Sequence, residues 1–254
     1  MPDTLPTRRR FLTAATLGLS ATALTGCDAL GQSPSFRRFL STGEWLSYRV
    51  QRLIGGQALA REYDPSDMSP SFRTNGNIRP ESETWERHAA EDFRTYRLEV
   101  GGLVASPRQF SLEELRALPA RSQITRHDCV EGWSAIGKWE GVPLATLLDS
   151  AGLRPQARYV VFRCADDFRG TPYYESIDLI DAYHPQTILA YGMNDGVLPI
   201  GHGAPLRLRV ERQLGYKQTK FIMSVEAVAT LDGIGQGRGG YWEDVGFYDW
   251  YAGI

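Results

Sequence analysis

Cys129 stands in Arg126-His127-Asp128-Cys129-Val130-Glu131-Gly132-Trp133, one thiol in a polar and aromatic stretch. Such a cysteine can act as a nucleophile or as a metal thiolate, because the thiolate is the reactive and ligating form. Two plainer readings stand beside these: a disulfide with Cys164, or two inert buried thiols. Other patterns narrow the chemistry. The chain has no Cys-x-x-Cys and no His-Glu-x-x-His, and its four histidines are scattered, so a protein-built zinc cage is poorly supported. Without Cys-x-x-Cys-His there is no c-type haem attachment. Gly235-x-Gly237-x-Gly239-Gly240 follows no strand–helix unit, so it does not read as a dinucleotide fingerprint.

The chain that must position this thiol has 254 residues, 42% hydrophobic and 23% charged, with a net charge of −2. That is enough chain for a core without disulfide staples. The charge lacks the basic excess of a general nucleic-acid binder. Thr7-Arg8-Arg9-Arg10-Phe11-Leu12 before the weakly apolar run 13–24 reads as a twin-arginine signal, which exports proteins already folded. Leu24-Thr25-Gly26-Cys27 reads as a lipoprotein box, with Cys27 as a lipid-anchored first residue and Asp28 favouring retention at the inner membrane. Loss of residues 1–26 removes three arginines and one aspartate and leaves a mature charge of −4. Folded export suits a chain that receives a cofactor before it leaves the cytoplasm. The sequence thus divides into a signal (1–26), a tether with an N-terminal helical extension (27–71) and one large domain (72–254).

Trp45, Leu46, Val50, Leu53 and Ile54 recur at helical spacing within 36–54, and Gly55-Gly56 stops the pattern. Residues 63–84 are irregular. Strands are predicted at 96–104, 122–130, 159–164, 206–210 and 221–228. Ser111-Leu112-Glu113-Glu114 is a capping box, and Pro143 to Ser150 reads as a helix stopped by Gly152. Asn194-Asp195-Gly196 marks a hairpin. Short helices among many strands give an α+β fold class. The tail from Gly239 is rich in aromatics. Trp242, Phe247, Tyr248, Trp250 and Tyr251 read either as rings packed on their own domain or as a docking surface.

Cys129-Val130-Glu131-Gly132-Trp133-Ser134, followed by Trp139-x-Gly141-Val142-Pro143-Leu144, forms a specific pattern. His184 to Ala190, Leu198-Pro199, Gly203 to Arg207 and Gly215 to Lys220 follow in order. Together they resemble the molybdopterin-binding domain of the sulfite oxidase superfamily. Within it, the resemblance is greatest to the bacterial periplasmic protein-methionine-sulfoxide reductase branch. The resemblance implies a sulfite-oxidase-type fold of mixed sheets with short helices. It also implies one molybdopterin per molybdenum, with Cys129 as the single protein thiolate on the metal. A soft thiolate suits a high-valent metal, which keeps it deprotonated. Asn75, Cys164, His202, Arg207, Gln218, Thr219 and Lys220 are the implied cofactor contacts. Taken alone, Arg207 reads as a solvent-facing strand charge and Cys164 equally as a core thiol. His127, Asp128 and Glu131 flank the ligand, and alternation would turn some of them away from it.

The implied reaction is two-electron oxygen-atom transfer. Where sulfite oxidases carry an arginine before the asparagine, this chain has Thr74, and Gly76 replaces the following histidine. Loss of a cation weakens an anion site. The reading is therefore reduction of a neutral S-oxide such as methionine sulfoxide. The segment around Asn75 lacks the aromatic and acidic residues usual in the methionine-sulfoxide branch, so sulfite-type oxidation stays open. So does a cofactor-free, lipid-tethered binding protein. Electrons would come from a membrane haem-b subunit or another external partner. Little chain remains for the dimerisation domain of classical sulfite oxidases, so the expected catalytic unit is monomeric.

Overall fold

The computed structural model describes residues 33–246 and 248–254. The twin-arginine stretch, Cys27 and Phe247 lie outside the described residues. The chain divides into two units at Gly55. The described part of the first is residues 33–54, nearly all of it helix α1 (Pro34–Gly55), where the helical spacing placed it. Residues 55–71, read from sequence with the tether, belong to the second unit, where Glu62 bridges Thr125 and Ala60 N–H donates to Gln186 Oε1 at 2.8 Å.

The second unit holds two five-stranded sheets. In one, the order is β2 (Arg108–Phe110), β1 (Leu98–Gly102), β10 (Ile222–Val228), β5 (Tyr159–Phe168) and β6 (Thr171–Asp178). Its β1–β10 pair is parallel. In the other, the order is β3 (Arg121–Asp128), β4 (Ser134–Pro143), β7 (Ile188–Met193) and β8 (Gly196–Val197), with β9 (Arg207–Arg209) also on β7. Five short helices connect them: α2 (Glu83–Ala90), α3 (Leu112–Ala117), α4 (Leu144–Ala151), α5 (Leu179–Ala182) and α6 (Tyr241–Gly246). The α+β expectation holds.

Local chemistry explains the elements. Ser111 Oγ accepts from Glu114 N–H while Glu114 returns a bond to Ser111 N–H, closing the capping box of α3. Gly152 ends α4 with φ of +71°, a left-handed cap. Asn194 and Asp195 both take positive φ, which turns β7 back into β8. The main core joins both sheets through Leu98, Val100, Leu147, Leu148, Phe162 and Leu208. A smaller cluster of Trp139, Ile188, Ala190, Met193 and Leu198 receives Phe72.

Candidate cofactor and active site

Strand β3 sets the thiol. Gln123, Thr125, His127 and Cys129 are buried at every second position, while Arg126 and Val130 are exposed. This buried row is polar, so its partners decide whether the strand is stable. Gln123 Nε2 donates to Glu211 Oε1 at 2.7 Å, and Arg209 Nη1 approaches His127 Nδ1 at 3.0 Å. An arginine can only donate, so His127 Nδ1 accepts and a neutral ring carries its proton on Nε2. Burial first, then Arg209, holds the His127 pKa well below the usual imidazole range. Gly215 lies against that ring: a Cβ there would sit 2.5 Å from Nε2.

At the end of β3 the chain turns. Cys129 N–H donates to Trp133 O at 2.9 Å, and Gly132 N–H returns to Cys129 O at 3.0 Å with φ of +86° at the glycine. The turn presents Cys129 Sγ to a cavity of about 370 Å³, where Asn75 Nδ2 donates to it at 3.4 Å. Both Cys129 and Cys164 are free thiols, so the disulfide alternative does not hold. Among the described residues no three of His, Cys, Asp and Glu converge as a metal cage. A metal on Cys129 would therefore need most of its ligands from outside the chain.

The same cavity is lined by Asn75, His202, Arg207, Gln218, Thr219 and Lys220. The structure thus brings together seven of the eight residues read from sequence. The eighth, Cys164, is absent from the wall. Its side chain sits in the main core, where burial, and then Asp166, push its thiol well up, so the core-thiol reading is the one the structure supports. The solvent-facing reading of Arg207 fails too: it is only 4% exposed. Asp128 points away and binds Arg126 and Ser134, whereas Glu131 stands at the exposed rim.

The electrostatics are unusual. Arg207 donates to the carbonyls of His202 at 3.0 Å and Gln218 at 3.4 Å, and its buried Nε has no partner. Lys220 Nζ donates to the carbonyls of Asn75 at 2.8 Å, Gly201 at 3.1 Å and Asn77. Among the described residues neither cation has a carboxylate within 4.0 Å. Burial, then Arg209, lowers the Arg207 pKa to about 9; burial, then Arg207, lowers Lys220 to about 8. Both remain cationic at neutral pH. Burial, then Arg207 and Lys220, brings His202 to about 4, so that ring is neutral. A buried and a half-buried cation whose hydrogen bonds go only to carbonyls leave a site short of negative charge. A phosphate carried by a pterin supplies that charge, and the donor set fits it. Gly203 permits the approach, since a Cβ there would meet Lys220 Cβ at 2.8 Å.

The sequence reading missed Asp166. It is 4% exposed in the cavity wall, Asn77 Nδ2 donates to its Oδ2 at 3.1 Å, and its Oδ1 has no partner. Burial raises its pKa to about 6, against the pull of Asn77 and Lys220. It can accept from ring N–H groups or hold a proton. The available signal was its phase: it lies two residues after Cys164, on the buried face of β5. The tail rings also differ from expectation. Trp242 and Tyr248 stack at 5.8 Å, are half-buried and line the cavity, so they serve the site and not only the packing of the domain. Arg73 lies at the exposed rim, 5.7 Å over the Trp133 ring, where the reading from Thr74 counted no cation.

Residues 86–232 match the family described as oxidoreductase molybdopterin binding domain. A protein from Azospira oryzae, named as a candidate protein-methionine-sulfoxide reductase subunit YedZ1, is 40% identical over 98% of this chain and 88% of its own. The protein-methionine-sulfoxide reductase catalytic subunit MsrP of Ralstonia nicotianae is 29% identical over 87% of this chain and 68% of its own. The sulfane dehydrogenase SoxCD of Paracoccus pantotrophus superposes on 54% of this chain and 39% of its own, at 24% identity and a TM-score of 0.49. The chain belongs to the oxidoreductase molybdopterin-binding domain family and is an oxidoreductase of that class.

Proposed function

We propose that this oxidoreductase reduces S-oxides, with free or protein-bound methionine sulfoxide as the substrate class, on one molybdopterin held through Cys129. The observation that carries the reading is the free thiol of Cys129 in the wall of a cavity whose cations, buried Arg207 and half-buried Lys220, have no carboxylate within 4.0 Å among the described residues. In this reading Cys129 ligates the metal, Asn75 orients its sulfur, and Arg207 and Lys220 hold the pterin phosphate. His202, Gln218 and Thr219 border that end of the cavity, and Cys164 supports it from the core. When bound, the molybdenum–pterin group supplies two-electron oxygen-atom transfer. His127, held by Arg209 as an Nε2–H donor, keeps the wall beside Cys129 neutral. Phe168, Tyr173, Trp242 and Tyr248 give the cavity an aromatic side that suits a neutral substrate and keeps water out.

The proposal extends to the cell. Residues 1–26 direct twin-arginine export to the periplasm, Cys27 carries a lipid anchor, and residues 72–254 are the catalytic region of a monomeric unit. A membrane subunit, of the haem-b kind, supplies the electrons. The relatives named as subunits of a protein-methionine-sulfoxide reductase support the presence of a partner subunit.

Sulfite oxidation is the second reading, and Arg73 favours it by placing a cation at the rim. Arg73 is exposed, however, and a solvated cation attracts an anion weakly. The test is the rate on methionine sulfoxide with an artificial reductant against the rate on sulfite with an artificial acceptor. The proposal expects the sulfoxide rate to exceed the sulfite rate by about tenfold or more, a difference of about 1.4 kcal/mol in barrier. Comparable rates would overturn it.

A further inference from the structure

Helix α1 lines no part of the cavity, yet its residues divide into an apolar and a basic side. Phe39, Leu40, Leu46, Val50, Leu53 and Ile54 recur three, four and seven residues apart and so share one side of a helix. All six are among the exposed large apolar residues: Leu53 is 86% exposed, Ile54 81% and Phe39 71%. The opposite side differs. Helical periodicity places Arg38, Arg49 and Arg52 there, and the segment carries four arginines against the single Glu44. Arg49 sits 5.1 Å over Trp45 and Arg52 5.4 Å over Tyr48, so aromatic rings hold two guanidinium groups on the polar side.

We propose that α1 lies flat on an anionic lipid surface, with its apolar side in the boundary between headgroups and acyl chains. A basic helix with a bare apolar side has the charge and shape for that interface. It cannot cross the bilayer: no helix among the described residues is long and apolar enough. A second copy is the poorer occupant: it would cover the apolar side but bring no negative charge to offset four arginines against one glutamate per helix, whereas anionic headgroups bring it. The 22 residues make a contact about 33 Å long. The proposal stands on the helix and does not need the anchor at Cys27.

The experiment uses the full chain carrying Cys27→Ser, so that no acyl group forms. It is sedimented with vesicles of phosphatidylcholine alone and with added phosphatidylglycerol, at low and high salt. The expected result is binding that needs phosphatidylglycerol and weakens with salt. Leu46→Glu/Leu53→Glu, at two exposed positions, should bind at least about tenfold more weakly with unchanged helicity and unchanged turnover of a soluble substrate. Arg38→Gln and Arg49→Gln should each weaken binding by about fivefold. Equal vesicle binding by the parent chain and Leu46→Glu/Leu53→Glu would overturn the proposal, as would no binding to the anionic vesicles. A dimer in ultracentrifugation that Leu46→Glu/Leu53→Glu dissolves, without a lipid effect, would assign the face to a second copy instead.

Discussion

Strand β9 carries two buried arginines two residues apart, and they are served in opposite ways. Arg209 is fully buried and held by Glu211 through two bonds, from Nε at 3.0 Å and from Nη2 at 2.5 Å. Arg207, one step nearer the cavity, has only carbonyls and an empty Nε. Both guanidinium groups stack on Trp139, at 4.7 Å for Arg207 and 4.4 Å for Arg209. The contrast repeats at the other cations. Lys217 is buried against Glu175 and Glu243, whereas Lys220, three residues on, has no carboxylate within 4.0 Å among the described residues. Paired cations lie behind the wall and hold the fold; unpaired ones lie in the wall and face the cavity. An uncompensated buried charge costs stability unless a ligand compensates it, so the pattern marks where an anion belongs.

The comparison breaks most visibly at the paired member. Glu211→Gln leaves Arg209 buried without its partner and should cost about 3–5 kcal/mol of unfolding free energy. Urea denaturation of the cofactor-free protein measures it, and a loss below about 1 kcal/mol would mean that Arg209 is not held as described. The unpaired member should behave in the opposite sense. Arg207→Met should leave the stability of the cofactor-free protein unchanged or higher. It should also weaken pterin retention by about 10–100-fold, the size of one charge-assisted bond. Competitive loss of pterin from the loaded protein checks the second part.

A further effect, of similar size, concerns Asp166. Its folded pKa of about 6 lies above the ordinary value of 3.8, because of burial. Between those values the folded cofactor-free protein keeps a proton that the unfolded chain has released. Asp166 therefore favours the folded state least once the pH has risen through about 6, and its contribution to stability declines across that window. Asp166→Asn should remove a decline on the order of 2–3 kcal/mol. His202 acts in reverse: its pKa of about 4 makes the folded protein resist a proton that the unfolded chain accepts on acidification. The difference between the stability curves of variant and parent should thus grow from about pH 4 to 6 and then stay level.

Much of this was legible in the sequence where a local rule carries the information. The capping box at Ser111, the glycine stop at Gly152 and the Asn194-Asp195 turn were fixed by nearest-neighbour chemistry. Strand β4 was missed because Lys138, Glu140, Gly141 and Pro143 break its apolar pattern, yet its pairing with both β3 and β7 overrides them. Strand β6 was hidden for another reason. Tyr173 to Asp178 are all buried, polar residues included, and Glu175 is tolerable there only because Lys217 arrives from a distant turn. The site residues were legible through a pattern of motifs, not through any one residue type. Arg207 alone reads as a surface charge, and only the converging loops reveal why it is buried. Asp166 and Arg73 escaped because their roles depend on which loops meet, which a single chain of letters does not display.

The most direct test of the central claim is the molybdenum and pterin content of the folded protein from a cofactor-competent host, measured beside Cys129→Ser and Arg207→Met. The account predicts near-stoichiometric molybdenum and pterin in the parent chain. It predicts loss of bound molybdenum and of turnover in Cys129→Ser, and folded protein with depleted pterin in Arg207→Met. Parent protein without molybdenum or pterin, or Arg207→Met loaded as fully as the parent, would contradict it and return the cavity to another anionic ligand.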